Sequence, residues 1–256
     1  MKSLLAFMKK DWLEQLRSGK LLLLLIIFVL LGIMNPAIAK LTPWLMETLS
    51  AELAENGMTV TAVTVDALSS WTQFFKNIPV GLIIFVLLES GIFTKEYESG
   101  TLVLSLTKGL ERYKVVLSKT AVLIILWSAC FWLCWGITCA YNAYFWDNSI
   151  AQSLGFAAGC WWLAGLWTVS LTVLFSTLGK TGTAVLAGTG GTYLGVYLLS
   201  LLPKLHKFAP TCLTEGKALI YGAAGRENLS SAIAVAVITL ILCLATSIPV
   251  FNRKQL

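Results

Sequence analysis

"LLLLLIIFVLLGIMNPAIA", residues 21 to 39, is the stretch that decides the fold of this chain. Its nineteen residues would span about 28 Å as an α-helix, close to the thickness of a bilayer's hydrocarbon core. The run is continuous and does not alternate between apolar and polar residues, so it predicts a membrane-crossing helix rather than a strand of a barrel.

Further apolar runs follow at 78 to 94, 115 to 140, 153 to 178, 183 to 202 and 231 to 250. The composition agrees, because 57% of the 256 residues are hydrophobic, only 12% are charged and the mean hydropathy is +0.78. Such values are typical of membrane proteins with several spans. We predict an all-α polytopic membrane protein with six transmembrane helices in a single domain, residues 1 to 256. The connections are too short for a separate soluble catalytic domain.

The distribution of basic residues predicts the orientation of the chain. With the N-terminus inside, thirteen Lys and Arg residues fall on the inner side and six on the outer side. By the positive-inside rule, both termini are expected in the cytoplasm and the chain in the cell membrane. The bases are scattered between apolar runs, so no binding of nucleic acid is expected. A cleaved signal peptide ending at Ala39 is an alternative for the first run, but the long basic region ahead of it argues against this.

The first twenty residues predict an amphipathic helix. Its apolar side chains share one face at helical spacing and comprise Leu5, Met8, Trp12 and Leu16. We expect this helix to lie in the inner membrane interface, with a straight extension of the first span as the alternative.

The longer outer segments are predicted at 40 to 77 and 203 to 230. In the first, the apolar patch of Trp71, Phe74 and Phe75 predicts short helices anchored at the outer membrane surface. The second is broken by Pro203, Pro210 and several glycines, which predicts an irregular segment at the membrane edge.

Motifs for soluble chemistry are weak in this sequence. "LFSTLGKT", residues 174 to 181, lacks the first glycine of a phosphate-binding loop and is interpreted as a tight turn. His206 is the only histidine, which argues against most His-based catalytic and metal sites, and no chemical role is expected for it. Cys130 and Cys134 share a helix face without nearby His or acidic ligands. The sequence therefore predicts no metal site and no catalytic residue.

Glu89 is the one acid well inside an apolar run. A carboxylate in the membrane is costly unless it is paired, protonated or facing water. Structural or gating hydrogen bonds, contact with substrate and proton coupling all remain open for it.

Two pairs of glycines lie at the spacing that lets helices approach closely. Gly155 and Gly159 form one pair, and Gly191 and Gly195 form the other. They predict helix packing, either within the chain or against a second copy.

The segment "FTKEYESGTLVLSLTKGLERYKVVLSK", residues 93 to 119, concentrates charge between two apolar runs, with three acids and five bases. It also carries Leu102, Leu104, Leu106 and Leu110. Such a segment is too polar for lipid and too apolar to remain free in water. It predicts a cytoplasmic contact with another protein.

This segment resembles the linker of the transmembrane subunits of ATP-binding-cassette exporters of the second type. The family pattern Glu-x-Glu-x-Gly-Thr, followed by a basic residue and then a final Lys, is matched by Glu96, Glu98, Gly100, Thr101, Arg112 and Lys119. The chain departs from the pattern at Gly109, where Pro is usual, and at Ser118, where Gly is usual.

The resemblance implies a permease that is not itself an enzyme. Its linker, residues 95 to 114, would form a coupling helix that docks on a separate cytoplasmic ATP-binding-cassette ATPase, which would bind ATP and Mg²⁺, so this chain needs no cofactor of its own. A second permease copy, or a related permease, would complete the exporter in the lipid bilayer. The coupling residues expected on this basis are Glu96, Glu98, Gly100, Thr101, Lys108, Arg112 and Lys119. A peptide, a drug, a lipid-like molecule and an ion remain open as substrates, and an autonomous secondary carrier that uses Glu89 is the alternative.

Overall fold

The computed structural model describes residues 2–55, 65–107, 109–223 and 225–254, and these residues are helical almost throughout. The α-helices in chain order are α1 Lys2–Arg17, α2 Lys20–Glu55, α3 Ala67–Glu89, α4 Gly91–Glu98, α5 Thr101–Thr107, α6 Arg112–Phe145, α7 Leu154–Leu178, α8 Gly182–Ser200, α9 Pro203–His206, α10 Gly216–Ile220 and α11 Ser230–Arg253. Short 3₁₀ turns lie at Asn148–Ile150, Pro210–Thr214 and Arg226–Leu229. The all-α prediction is confirmed.

Five stretches of the described chain are long and apolar enough to cross a membrane. They are Lys20–Thr48, Ala67–Glu98, Arg112–Phe145, Leu154–Leu178 and Glu227–Arg253. The remaining predicted run, 183 to 202, is the fifth in chain order and forms α8, a helix of 19 residues, but its Gly, Thr and Tyr residues make it less apolar than the five candidate spans. The chain is therefore a multi-pass membrane protein with five candidate spans of 25 to 34 residues, and α8 is a further, shorter helix.

The structure corrects the prediction for the first outer segment. Instead of short surface helices, α2 continues to Glu55, and α3 begins at Ala67, eleven residues before the predicted span. Asp66 caps α3 by accepting a hydrogen bond from the Ser69 backbone N–H at 2.9 Å, which fixes this early start. The patch of Trp71, Phe74 and Phe75 consequently lies inside the bundle and is almost fully buried.

The core is built around aromatic side chains from α2, α3 and α6. Trp127 makes edge contacts with Phe28 and Phe85 at ring-centroid distances of 6.1 and 5.5 Å. Its indole N–H donates to the Trp162 carbonyl at 3.1 Å. α7 approaches this ring closely because residue 165 is glycine: a Cβ there would lie 2.1 Å from the ring of Trp127. Edge-to-face pairs of this kind add to the stabilisation from burial.

A polar chain crosses the same helices within the bundle. Asn77 donates to Asn35 at 2.9 Å, and Asn35 donates to the Thr138 hydroxyl at 3.3 Å. Thr138 in turn donates to the Gly32 carbonyl at 3.0 Å. These bonds join α2, α3 and α6 and fix their register, because an unpaired amide would be costly at this depth.

The segment between α8 and α11 packs against one end of the bundle, which we call the distal end. The prediction of an irregular segment is confirmed: it consists of α9, two 3₁₀ turns and α10. Gly216 lies directly on the ring of Phe75, where a Cβ would come within 2.4 Å. Trp161 donates to the Thr214 carbonyl at 2.9 Å. The connection is therefore an ordered cap on the bundle.

Candidate functional site

The linker between α3 and α6 lies at the other end of the bundle, which we call the linker end. It comprises α4, a turn at Gly100, α5 and a turn at Gly109. Both glycines adopt the left-handed region, with φ of +66° and +86°. After α5, the Gly109 N–H bonds to the Leu106 carbonyl at 3.0 Å and the Leu110 N–H to the Ser105 carbonyl at 3.4 Å. This is the bonding pattern of a Schellman motif, which ends a helix sharply.

α4 is held firmly against the bundle. Phe93 makes an edge contact with Phe251 at a ring-centroid distance of 6.1 Å, and Tyr97 stacks on Phe251 at 6.5 Å. The Tyr97 hydroxyl donates to the Ser176 carbonyl at 3.1 Å, and the Lys254 ammonium lies 4.1 Å from the centre of its ring. These contacts bind α4 to the ends of α7 and α11.

A buried ion network joins α1, α4 and α6 beneath the linker. The Lys119 ammonium lies 3.2 Å from Glu96 and 3.5 Å from Asp11, and it donates to the Ile92 carbonyl at 2.9 Å. Glu96 also pairs with Lys10, and Asp11 accepts a hydrogen bond from Ser118 at 2.8 Å. Glu96 and Lys119 are 3% and 1% exposed. Buried charges persist only when paired in this way.

The network explains which face of α1 meets the protein. Phe7, Asp11 and Gln15, one turn apart, are buried against the bundle. Leu5 and Leu16, which belong to the predicted apolar face, remain 58% and 49% exposed. One face of α1 therefore packs polar side chains against the bundle, and leucines on the opposite face remain exposed.

Burial and neighbouring charges compete in setting the pKa values of Asp11 and Lys10 in α1, and both pKa values are raised. Burial raises the pKa of Asp11 above its usual range, against the effect of Lys119 and Ser118. For Lys10, burial acts to lower the pKa, but the hydrogen bond and negative charge of Glu96 outweigh it and the pKa is raised. Lys10 therefore remains a cation at neutral pH and serves as a second partner for Glu96.

Glu89 lies at the end of α3 and is fully buried. It accepts a hydrogen bond from Gln15 at 2.6 Å, and the Lys20 ammonium lies 3.9 Å away. A cavity of about 40 Å³, lined in part by Gln15 and Lys20, adjoins these groups. The carboxylate thus contacts α1 and the start of α2.

Arg112, the first residue of α6, binds the end of α11. Its guanidinium donates to the carbonyls of Phe251 at 3.1 Å, Asn252 at 3.1 Å and Lys254 at 2.7 Å. Terminal carbonyls of a helix lack intrahelical partners and carry partial negative charge. Arg112 therefore satisfies and neutralises the C-terminal end of α11.

α5 is the part of the linker that projects from the bundle. Leu102 is buried and anchors it, whereas Val103 and Leu104 are 41% and 63% exposed. A cavity of about 430 Å³ lies beside them, lined by Val103, Leu106, Thr107, Leu110, Glu111 and Arg112. We call Val103, Leu104 and the residues lining this cavity the linker surface.

The residues predicted for coupling therefore separate into two groups. Glu98 and Thr101 are exposed on either side of the Gly100 turn. Glu96, Lys119 and Arg112 instead bind groups of their own chain. Lys108 lies outside the described residues.

Sequence reasoning missed several partners in this region. Asp11 and Gln15 belong to the polar face of α1 and were not singled out as partners, although their spacing of four residues places them on one side of a helix. Ser118, seen as a departure from the family pattern, supplies a hydrogen bond to Asp11 that glycine would lack. Tyr97 and Lys254 carried no sequence pattern that marked them.

The bundle of long apolar helices, with a short and partly exposed linker helix, places this chain among the multi-pass membrane proteins. The family model of the ABC-2 family transporter proteins matches residues 5–256. The chain belongs to this family. The comparison with curated proteins finds no match.

Membership of the family has direct consequences for the chemistry. ABC-2 permeases typically lack the ATPase, which resides in a partner subunit, and ordinarily carry no cofactor of their own. The chain is thus a transporter permease of the membrane, and its family implies an ATPase partner.

Proposed function

We propose that this chain is the transmembrane subunit of an ATP-driven exporter, a single domain with six spans and both termini in the cytoplasm. α8, the fifth in chain order, completes the set of six spans, and the linker end faces the cytoplasm. A peptide, a drug, a lipid-like molecule or an ion is moved outward, driven by ATP hydrolysis on a separate ATPase subunit. The excess of Lys and Arg on the linker side supports this orientation.

The linker surface is the docking site for that ATPase. The observation that carries this proposal is the exposure of Leu104 and Val103 on a short helix that projects from the bundle beside an open cavity. Apolar side chains presented on a polar segment are suited to fill a groove of a protein partner. Glu98 and Thr101 provide polar groups beside them, and Lys108, outside the described residues, is proposed as a further contact for the ATPase.

Glu96, Arg112 and Lys119 have a different role in coupling. They bind α4 and α6 to α1 and α11, so that a displacement of α5 moves these elements together. The buried network thus makes the linker end rigid, and a rigid end transmits movement of the ATPase to the spans. The role of Glu96, Arg112 and Lys119 is thus to transmit, inside the permease, the movement that the ATPase imposes on α5.

A second permease packs against α8. Only Val185, Thr189 and Ser200 of this helix are buried, and a Cβ at Gly190, Gly191 or Gly195 would meet nothing within 4 Å. A helix face of Gly and Thr gains little from lipid but allows another helix to approach closely. A largely apolar cavity of about 330 Å³ between α3, α7 and α8 lies next to this face.

No observation favours the autonomous carrier. Glu89 is engaged by Gln15 and Lys20, and its carboxylate contacts the interior of the linker end. Glu89 does not line the apolar cavity beside α8. The residues that line this cavity are Pro79, Leu82, Ile83, Val86, Leu87, Thr168, Leu186, Thr189, Gly190 and Tyr193.

Leu104→Glu tests the docking proposal. The substitution places a charge on the linker surface at a side chain that is 63% exposed, so the fold of the permease should be unaffected. We expect it to abolish co-purification of the ATPase and ATP-driven transport, while the permease inserts normally and keeps its Tm. Leu205→Glu, the same change at a 44% exposed leucine of the distal end, serves as the matched control. Full retention of the ATPase by the Leu104 variant would refute the proposal.

A further inference from the structure

The distal end carries a cluster of three potential metal ligands from different parts of one short segment. His206 ends α9, and Cys212 and Glu215 belong to the 3₁₀ turn that follows and to its cap. One ligand atom from each side chain lies within 4.8 Å of the other two. The His206 Nδ1 lies 3.4 Å from the Cys212 sulfur, and its Nε2 lies 3.5 Å from a Glu215 oxygen.

The backbone of this segment is what brings the three side chains together. The N–H groups of Ala209, Cys212 and Glu215 bond to the carbonyls of His206, Ala209 and Cys212 at 3.1, 3.0 and 3.1 Å. Each bond spans three residues and closes a tight turn, so the segment keeps His206, Cys212 and Glu215 close together although Ala209 between them is extended. The spacing matches no common metal motif, and His206, as the only histidine of the sequence, was expected to have no chemical role.

We propose that His206, Cys212 and Glu215 bind a divalent transition-metal cation such as Zn²⁺, with a fourth coordination position open to solvent. This site is separate from the linker surface and does not depend on the proposed export function. An imidazole, a thiolate and a carboxylate form a typical ligand set for Zn²⁺.

The distances suit such an ion. Zinc bonds of about 2.0–2.3 Å in tetrahedral geometry place neighbouring ligand atoms roughly 3.3–3.8 Å apart. The 3.5 Å between the His206 Nε2 and the Glu215 oxygen falls within this range. The Cys212 sulfur lies 3.4 Å from the Nδ1 of the same ring, and one ligand atom from each of the three side chains lies within 4.8 Å of the others. A thiolate and a carboxylate also balance the charge of a divalent ion when the imidazole is neutral.

The surroundings orient the His206 ring, and the Cys212 thiol donates to the His206 carbonyl at 2.7 Å, so a bound cation would displace that proton. The His206 Nδ1 lies 3.2 Å from the Ser200 carbonyl, and an N–H donated there leaves the Nε2 lone pair free for a metal. Cys212 is 3% exposed, whereas the side chains of His206 and Glu215 are each 48% exposed. The site thus has a buried thiol at its base and an opening toward solvent.

The other close group of potential ligands in the described chain is already occupied by cations of the protein. Asp11, Glu14 and Glu96 lie near one another at the linker end. The ammonium groups of Lys10 and Lys119 fill the space between them. Among the described residues, no Lys or Arg forms an ion pair with His206, Cys212 or Glu215, and the only ion-pair contact there is between His206 and Glu215.

Titration of the purified full-length chain with Co²⁺ tests the proposal. Cobalt bound by a thiolate gives a ligand-to-metal charge-transfer band, and four-coordinate cobalt gives intense visible bands. We expect one equivalent to bind with both signals, and Zn²⁺ to displace it and to raise the Tm in a concentration-dependent manner.

Variants identify the ligands. Cys212→Ser should remove the charge-transfer band, and His206→Asn and Glu215→Gln should each weaken binding by at least ~10-fold. The two latter positions are half exposed, so these variants should fold even if the cysteine variant does not. Cys243→Ser is the matched control and should keep the band. Persistence of the band in Cys212→Ser, or unchanged affinity in both His206→Asn and Glu215→Gln, would overturn the proposal and leave His206 and Glu215 as an ion pair only.

Discussion

Lys119 is the residue that holds the buried ion network together. It is the buried cation shared by Asp11 and Glu96, whereas Lys10, the other cation near both, has a side chain that is 42% exposed. Removing one partner of a buried ion pair costs more than the pair itself contributes, because the remaining charge stays desolvated. Here the remaining charges are two carboxylates on different helices.

Lys119→Met should therefore destabilise the protein by about 3–5 kcal/mol. A thermal unfolding experiment in detergent should show a Tm lower by roughly 10 °C. Lys9→Met, at an exposed lysine of α1, is the control and should leave the Tm unchanged. An equal Tm for wild type and Lys119→Met would mean that the network contributes little to stability.

The turn that ends α5 is an element-scale feature that differs from the usual family pattern. Gly109 has a φ of +86°, which proline cannot adopt because its ring fixes φ near −65°. The Gly109 N–H also bonds to Leu106. Gly in place of Pro thus gives a left-handed turn after α5 rather than a proline bend.

Substitutions at Gly109 should follow the cost of a left-handed conformation. We expect Gly109→Asn to keep ATPase co-purification, Gly109→Ala to weaken it through about 1–2 kcal/mol of strain, and Gly109→Pro to abolish it. A Cβ at Gly109 would meet nothing within 4 Å, so the effect reports on the backbone alone. Gly136→Ala, at an equally open glycine within α6, should be neutral or stabilising. Normal ATPase binding by Gly109→Pro would contradict this account of the turn.

The sequence predicted the helical runs well because continuous apolar residues allow few other structures in a membrane. It failed where helices continue beyond the apolar run. α2 proceeds through polar residues to Glu55, and α3 starts eleven residues early at Ala67. An apolar composition indicates which residues lie in lipid, whereas capping residues such as Asp66 determine where a helix begins. Long-range partners such as Arg112 and the end of α11 leave no local pattern and had to come from the structure.

The assembly of the whole transporter is expected to depend on the open face of α8. Gly191→Leu adds bulk where a second helix would pack, and no neighbour within the chain obstructs it. We expect this variant to lose the dimer in light scattering of the purified permease while keeping its Tm. Gly155→Leu, at an open position of α7, should remain dimeric. Dimers of undiminished stability in the Gly191 variant would place the second permease elsewhere.

The two left-handed glycines around α5 also have a consequence for how such transporters diversify. Because Gly100 and Gly109 delimit the helix, residues 101 to 107 form an exchangeable cassette whose outward side chains are independent of the bundle beneath. Grafting this cassette from another permease, with Leu102 retained as its anchor, should transfer recognition of that permease's ATPase. Specificity for the ATPase would then evolve separately from specificity for the transported substrate.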